Sequence, residues 1–170
     1  EIAQNLLENH RSHILVDPEQ TSGPERYIGV PEYIRRRLLA LGKPVRHTYR
    51  TRFDPLVEER LKRIPDPLHR RKTIEEIVRL HPLCSRAQDL RNELANQDLE
   101  RAQFALAAAR LEEIVRWSLE KPKPDLLAKL AFAYRGAGDE NSLDELLATI
   151  GAEGSDPSIQ IAGRNVPLSE

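Results

Sequence analysis

From residue 85 to residue 120 the chain contains no glycine and no proline. Within that run Leu90, Leu94, Leu99, Ala102, Leu106, Ala109, Ile114 and Trp117 recur at helical spacing. A stretch so patterned has little choice but to form helix and to bury one stripe of it. At 1.5 Å per residue it makes either one helix of roughly 50 Å or a hairpin of two. Asn96-Gln97-Asp98 is the place for a break, because Asp98 is a fit N-cap and long helices without caps are rare. We therefore expect a hairpin.

The punctuation on either side extends the pattern. Pro82 closes whatever precedes the run, and Lys121-Pro122-Lys123-Pro124 closes the run itself. Asp125 is placed to cap a following helix that carries Leu126, Leu127, Leu130, Ala131 and Tyr134 and stops at Gly136 and Gly138. Ser142 and Glu145 read as a capping box for a last helix with Leu143, Leu146, Leu147 and Ile150. Upstream, Ile2, Leu6 and Leu7 suit a short helix within residues 1–11. Residues 12–30, with Asp17-Pro18, Ser22-Gly23-Pro24 and Gly29, read as an extended arm. Pro31 sits well at the first position of a helix bearing Ile34, Leu38 and Leu41, ended by Gly42 and Pro44. Residues 43–52 look irregular, Asp54-Pro55 opens a helix with Leu56, Val57 and Leu61, and Asp66-Pro67 starts a further short unit. Thr73 and Glu76 form a capping box before Ile74, Ile77 and Val78. Gly154, Asp156-Pro157, Gly163 and Pro167 make the tail another extended arm.

The expected fold class is therefore all-α, with helical hairpins in a bundle or short repeat array and extended N- and C-terminal arms. Strand content should be close to zero. The expected divisions are an arm over residues 1–30, a basic docking segment over 31–72, a hairpin body over 73–150 and a tail over 151–170.

Charge is unevenly distributed along this frame. Residues 33–72 hold thirteen of the twenty-six Lys and Arg residues and only four acidic ones, Asp54, Glu58, Glu59 and Asp66. A chain of formal charge −1 thus has a basic segment of about +9 between acidic ones. Arg35, Arg36, Arg37, Lys43, Arg46, Arg50 and Arg52 are candidates for contact with RNA or another anionic partner, because the guanidinium fork matches phosphate in two-point geometry. Tyr49, among them, offers a ring on which an unpaired base would stack. The competing reading is intramolecular, an Arg-rich face set against the Glu- and Asp-rich remainder as a solvated lattice of small net value.

Residues 105–150 resemble a tetratricopeptide-type unit. ARLEEIVRWSLEKPKP resembles that family's second helix with its terminal proline. DLLAKLAFAYRGAGD resembles the first helix of the next repeat, with Ala128 and Ala131 near Tyr134, and SLDELLATIG its second. The family's period is about 34 residues. The resemblance implies stacked antiparallel hairpins that bind protein, without catalysis.

Motifs of other chemistry are sparse. His10-x-x-His13 and His81-x-x-Cys84 supply ligand types that suit zinc, and a fold that joined the two pairs would close a four-ligand site. Glu58-Glu59, Glu75-Glu76 and Glu112-Glu113 point about 100° apart on a helix and read as solvated faces. No GxSxG, P-loop or GxGxxG occurs. We expect no enzyme and no cofactor. The lone Cys84 fits a reducing, intracellular compartment, an organelle such as the mitochondrion included. No apolar run approaches the roughly 18 residues that span a bilayer. The expected role is a structural or adaptor subunit of a larger assembly, with other protein subunits and RNA as partners, a ribonucleoprotein such as an organellar ribosome for instance. The alternatives are a tetratricopeptide-like protein–protein adaptor and, more remotely, a small zinc-binding domain.

Overall fold

The computed structural model describes residues 2–10, 12–18, 24–40, 42–64, 66–118, 121–152, 158–161 and 164–167. Helices dominate: α1 (Ile2–Asn9), α2 (Val30–Ala40), α3 (Lys43–Lys62), α4 (Pro67–Leu80), α5 (Ala87–Glu100), α6 (Phe104–Trp117), α7 (Pro124–Ala137) and α8 (Glu140–Ala152). The all-α class holds. Both arms are extended in part, but they pair on themselves. β1 (Ile14–Val16) runs antiparallel to β2 (Tyr27–Gly29), and β3 (Ser158–Ile161) to β4 (Arg164–Pro167). Ile-Leu-Val at 14–16 is a short aliphatic run with two β-branched residues, and pairing supplies the hydrogen bonds that an unpaired strand would lack.

The chain divides into two compact units, Glu1–Leu90 and Arg91–Glu170, with the division falling inside α5. In the first unit Leu7 of α1, Ile34 and Leu38 of α2, Tyr49 of α3 and Leu83 form one buried cluster, with Leu6, Tyr33 and Phe53 packed against it. Polar tethers supplement this apolar set. Asp17, at the end of β1, is buried and lies 3.6 Å from Arg36 of α2, so the strand pair is tied to that helix. Asp54 of α3 accepts the Ser85 amide at 2.9 Å, and the Arg50 Nε donates to the Leu83 carbonyl at 3.3 Å. These two bonds hold the turn after α4, where Pro82, Leu83 and Cys84 are buried.

Several helix boundaries differ from expectation, each for a local reason. Residues 43–52 are helical, and α3 continues through Pro55. Pro44 near the start sets the helical φ. Pro55 is exposed, so the carbonyl left without its amide faces water rather than core. α4 begins at Pro67, where Asp66 accepts the His69 amide at 3.0 Å; Thr73 is then mid-helix and caps nothing. α8 begins two residues earlier than its expected cap, with Asp139 accepting the Ser142 amide at 3.1 Å. Asp125 stands in the first turn of α7, behind Lys123 at the N-cap and Pro124.

In the second unit the end of α5 and the helices α6 to α8 form successive antiparallel hairpins. The break between α5 and α6 falls at residues 101–103, not 96–98. Asp98 is fully buried, its backbone carbonyl accepts the Gln103 amide at 2.8 Å, and Ala102 takes a left-handed φ of 55° to turn the chain. The core here is small-residue packing: Ala95, Ala107, Ala108, Leu111, Ile114, Leu130, Ala131, Ala133, Tyr134 and Leu143. Gly136 lies inside α7 against the Phe104 ring, and a Cβ placed there would come within 2.5 Å of the ring. Gly138 ends α7 in the left-handed region at φ 72°, which an L side chain rarely adopts.

Candidate anionic-partner surface

The basic residues of α2 and α3 do not share one face. On α2, Arg35 reaches Glu32 at 3.7 Å, while Arg36 donates to Glu32 at 3.1 Å and approaches Asp17. Arg35 and Arg36 thus serve carboxylates of their own unit; the Arg37 side chain is exposed. On α3, Arg50 and Arg52 are separated by about 200° at the helical 100° per residue, so they lie on opposite flanks. Both are exposed; Arg52 sits 5.6 Å over the Phe53 ring. Arg46 is half-buried. The side chain of Lys43 lies outside the described residues. His47, Lys62 and Arg63 add exposed basic groups that the charge count alone did not single out.

Tyr49 is a correction. Its ring is buried in the first unit's core, its centroid 4.5 Å from that of Phe53, and its hydroxyl lies 3.3 Å from Gln4 Oε1 and 3.4 Å from the Leu80 carbonyl. Burial, with Cys84, Asp54 and Glu8 adding to it, pushes the phenol well above its ordinary pKa. A ring so enclosed stacks on no base.

The paired glutamates resolve in the same way throughout. Glu58 approaches Arg86 at 3.9 Å and Glu59 pairs with Arg63; Glu75 takes Arg71 at 3.2 Å and Glu76 takes Arg60. Glu112 accepts the Tyr134 hydroxyl at 3.0 Å, and Glu113 accepts from buried Arg91 at 3.1 Å. Each neighbour pair splits between two different partners, as the 100° step requires. At least five of the thirteen basic residues of the segment, Arg35, Arg36, Arg60, Arg63 and Arg71, thus pair with carboxylates of their own unit. Even so, the first unit keeps seventeen Lys and Arg against thirteen Asp and Glu, and the second nine against fourteen. The polarity of the chain survives as +4 and −5.

The zinc candidates do not converge. His10 and His13 sit ring to ring at 4.9 Å, His81 packs on Phe53 at 5.3 Å, and Cys84 is buried. Among the described residues no three His, Cys, Asp or Glu side chains gather as a metal would need. His81 Nδ1 is buried with no hydrogen-bond partner among the described residues, and burial holds the imidazole pKa below its ordinary value.

A second surface was not foreseen. Phe104 and Phe132 meet edge to face at 5.8 Å, Leu106 and Phe132 are exposed, and Phe104 and Leu106 with Ala102, Gln103, Ala105, Gly136 and Ala137 border an apolar depression of about 390 Å³. Leu106 belongs to the periodic stripe, so periodicity alone placed it in the core. No described helix is long and apolar enough to cross a membrane. The chain matches no protein-family model, no curated protein and no solved structure.

Proposed function

We propose that the protein is a non-catalytic structural adaptor of a larger ribonucleoprotein assembly, with the first unit turned to RNA and the second to protein. The carrying observation is the division of formal charge into a +4 unit and a −5 unit. In the first unit α3 spans about 30 Å and carries His47, Arg50, Arg52, Lys62 and Arg63 at exposed positions. A helix of that length with basic groups on several flanks suits a phosphate backbone passing along or between its sides, without reading bases. Filter binding to a structured RNA at low salt tests the reading. Replacing Arg37 and Arg52 by Glu removes retention and keeps helix content. Retention by the reversed variant equal to that of the wild-type chain contradicts it.

The apolar depression of the second unit favours a protein-binding role for that unit, in keeping with the tetratricopeptide-like hairpins. Leu106, 42 % exposed, lines the depression with Phe104, and Phe132, 44 % exposed on the adjoining helix, meets the Phe104 ring edge to face. Exposed aromatic and aliphatic side chains in one patch are the usual composition of a docking centre.

A further inference from the structure

We propose that the first unit associates with a second copy of itself through the free edge of β1, joining two strand pairs into one four-stranded antiparallel sheet. The ladder between β1 and β2 uses the backbone of alternate residues. Val30 donates to the His13 carbonyl at 2.9 Å and Asp17 to the Arg26 carbonyl at 2.7 Å, with Leu15 opposite Ile28 between them. By the alternation of an antiparallel pair, the amides and carbonyls of Ile14 and Val16 point away from β2. They form an open edge. Natural edges are commonly guarded by charge, proline or a bulge, and Ile14-Leu15-Val16 has none of these.

That edge is complementary to itself. Antiparallel pairing about a two-fold axis at Leu15 sets Ile14 of each copy opposite Val16 of the other. All four outward main-chain groups of each strand then find partners. Asp17 stays with Arg36 of its own copy, so the main-chain groups of Ile14 and Val16 carry the pairing, and a second copy of the same edge matches them one for one. Side chains agree with the backbone. Ile14, Val16 and Tyr27 are 70 %, 48 % and 61 % exposed and lie on the outer face, Val16 directly opposite Tyr27. Joining two copies doubles this face into a continuous apolar surface of six side chains, while Ile28 stays buried on the inner side. A contact through three-residue strands is small beside stable interfaces, so the association is concentration-dependent.

Sedimentation of the full chain over rising concentration tests this. The wild-type weight-average mass climbs toward twice the monomer value. Val16→Pro removes only an outward amide, leaves the chain's own ladder intact, and holds the mass at the monomer value; if its helix content falls, Val16→Lys replaces it in the comparison. A second arm checks the register. Leu15→Cys faces itself across the axis at a Cα separation of about 4.5 Å, within disulfide reach, and mild oxidation yields a covalent dimer that the wild-type chain, with its buried Cys84, does not form. A wild-type mass that stays monomeric overturns the proposal, as does dimer retention by both Val16 variants or failure of Leu15→Cys to cross-link.

Discussion

The two units reach a packed interior by different means. The second draws its helices close with small residues: Ala107, Ala108, Ala128, Ala131 and Ala133 are buried, and Phe104 lies on the bare Cα of Gly136. The first has a core of larger side chains, Leu7, Ile34, Leu38, Tyr49 and Leu83, fastened at its margins by the Asp17–Arg36, Asp54–Ser85 and Arg50–Leu83 contacts. Backbone approach leaves little room for substitution, whereas tethers at a margin are individually small and partly replaceable by water. The second unit also contains buried charge, but as closed pairs, Arg91 with Glu113 and Arg110 with Asp98.

The largest test of that contrast compares two arginines. Arg110 holds Asp98, whose side chain is wholly buried, at 2.7 Å, whereas Arg36 is itself 40 % exposed and 3.6 Å from Asp17. Arg110→Ala should cost about 3–5 kcal/mol, because it leaves a carboxylate in the interior. Arg36→Ala should cost less, about 1–3 kcal/mol, because Asp17 is buried as well but water can enter where the exposed Arg36 side chain stood. Denaturant unfolding followed by circular dichroism reads both, and equal costs would dissolve the distinction.

Gly136 gives the next effect. Alanine there forces the Phe104 ring to move, at about 1–3 kcal/mol, against a gain of about 1 kcal/mol in helix propensity. In a Phe104→Ala background the clash vanishes and the same substitution should stabilise by about 1 kcal/mol. A double-mutant cycle without that change of sign would remove the close-approach account. Tyr49→Phe in the first unit should cost only about 0.5–1 kcal/mol, since its two hydroxyl contacts are long. In keeping with its raised pKa, the Tyr49 phenol should stay protonated in alkaline absorbance titrations of the folded chain.

The smallest effect is a dependence on pH carried by His81. Burial disfavours its charged form, with Glu8 opposing and Arg60 reinforcing that shift. The unfolded chain therefore binds this proton more readily than the folded one. Its contribution to stability is complete above the ordinary value near 6.5 and is lost as pH falls through the lowered folded value. His81→Leu should flatten the acid limb of thermal stability below about pH 6.5 relative to the wild-type chain; an unchanged limb would place that dependence elsewhere.

Legibility followed the same division. The hairpins of the second unit were readable because a Gly- and Pro-free run and two strong breaks leave one solution. Their turn was misplaced by a few residues, since Ala102 in a left-handed conformation carries no sequence signature and Asp98, a good cap by type, is buried as an ion-pair partner instead. The first unit was less readable. Pro55 looks like a helix boundary, and nothing local says that its exposed side tolerates the missing bond. Ile14-Leu15-Val16 held a strand signal too short to outweigh the loop residues around it. Of the candidate surface, charge count found the segment but not its sorting. Which arginines face water depends on where Glu32, Asp17, Glu59 and Glu76 arrive in space.

The measurement closest to the central claim is the salt dependence of RNA binding by the full chain. Each phosphate neutralised contributes about −0.7 to −0.9 to the slope of log K against log salt, so engagement through several exposed basic groups of the first unit gives a linear fall with a slope of about −2 to −4. Glu substitution at Arg37 and Arg52 should reduce that slope by about 1–2. Binding that is absent at low salt, or a slope that the substitutions leave unchanged, would contradict the account.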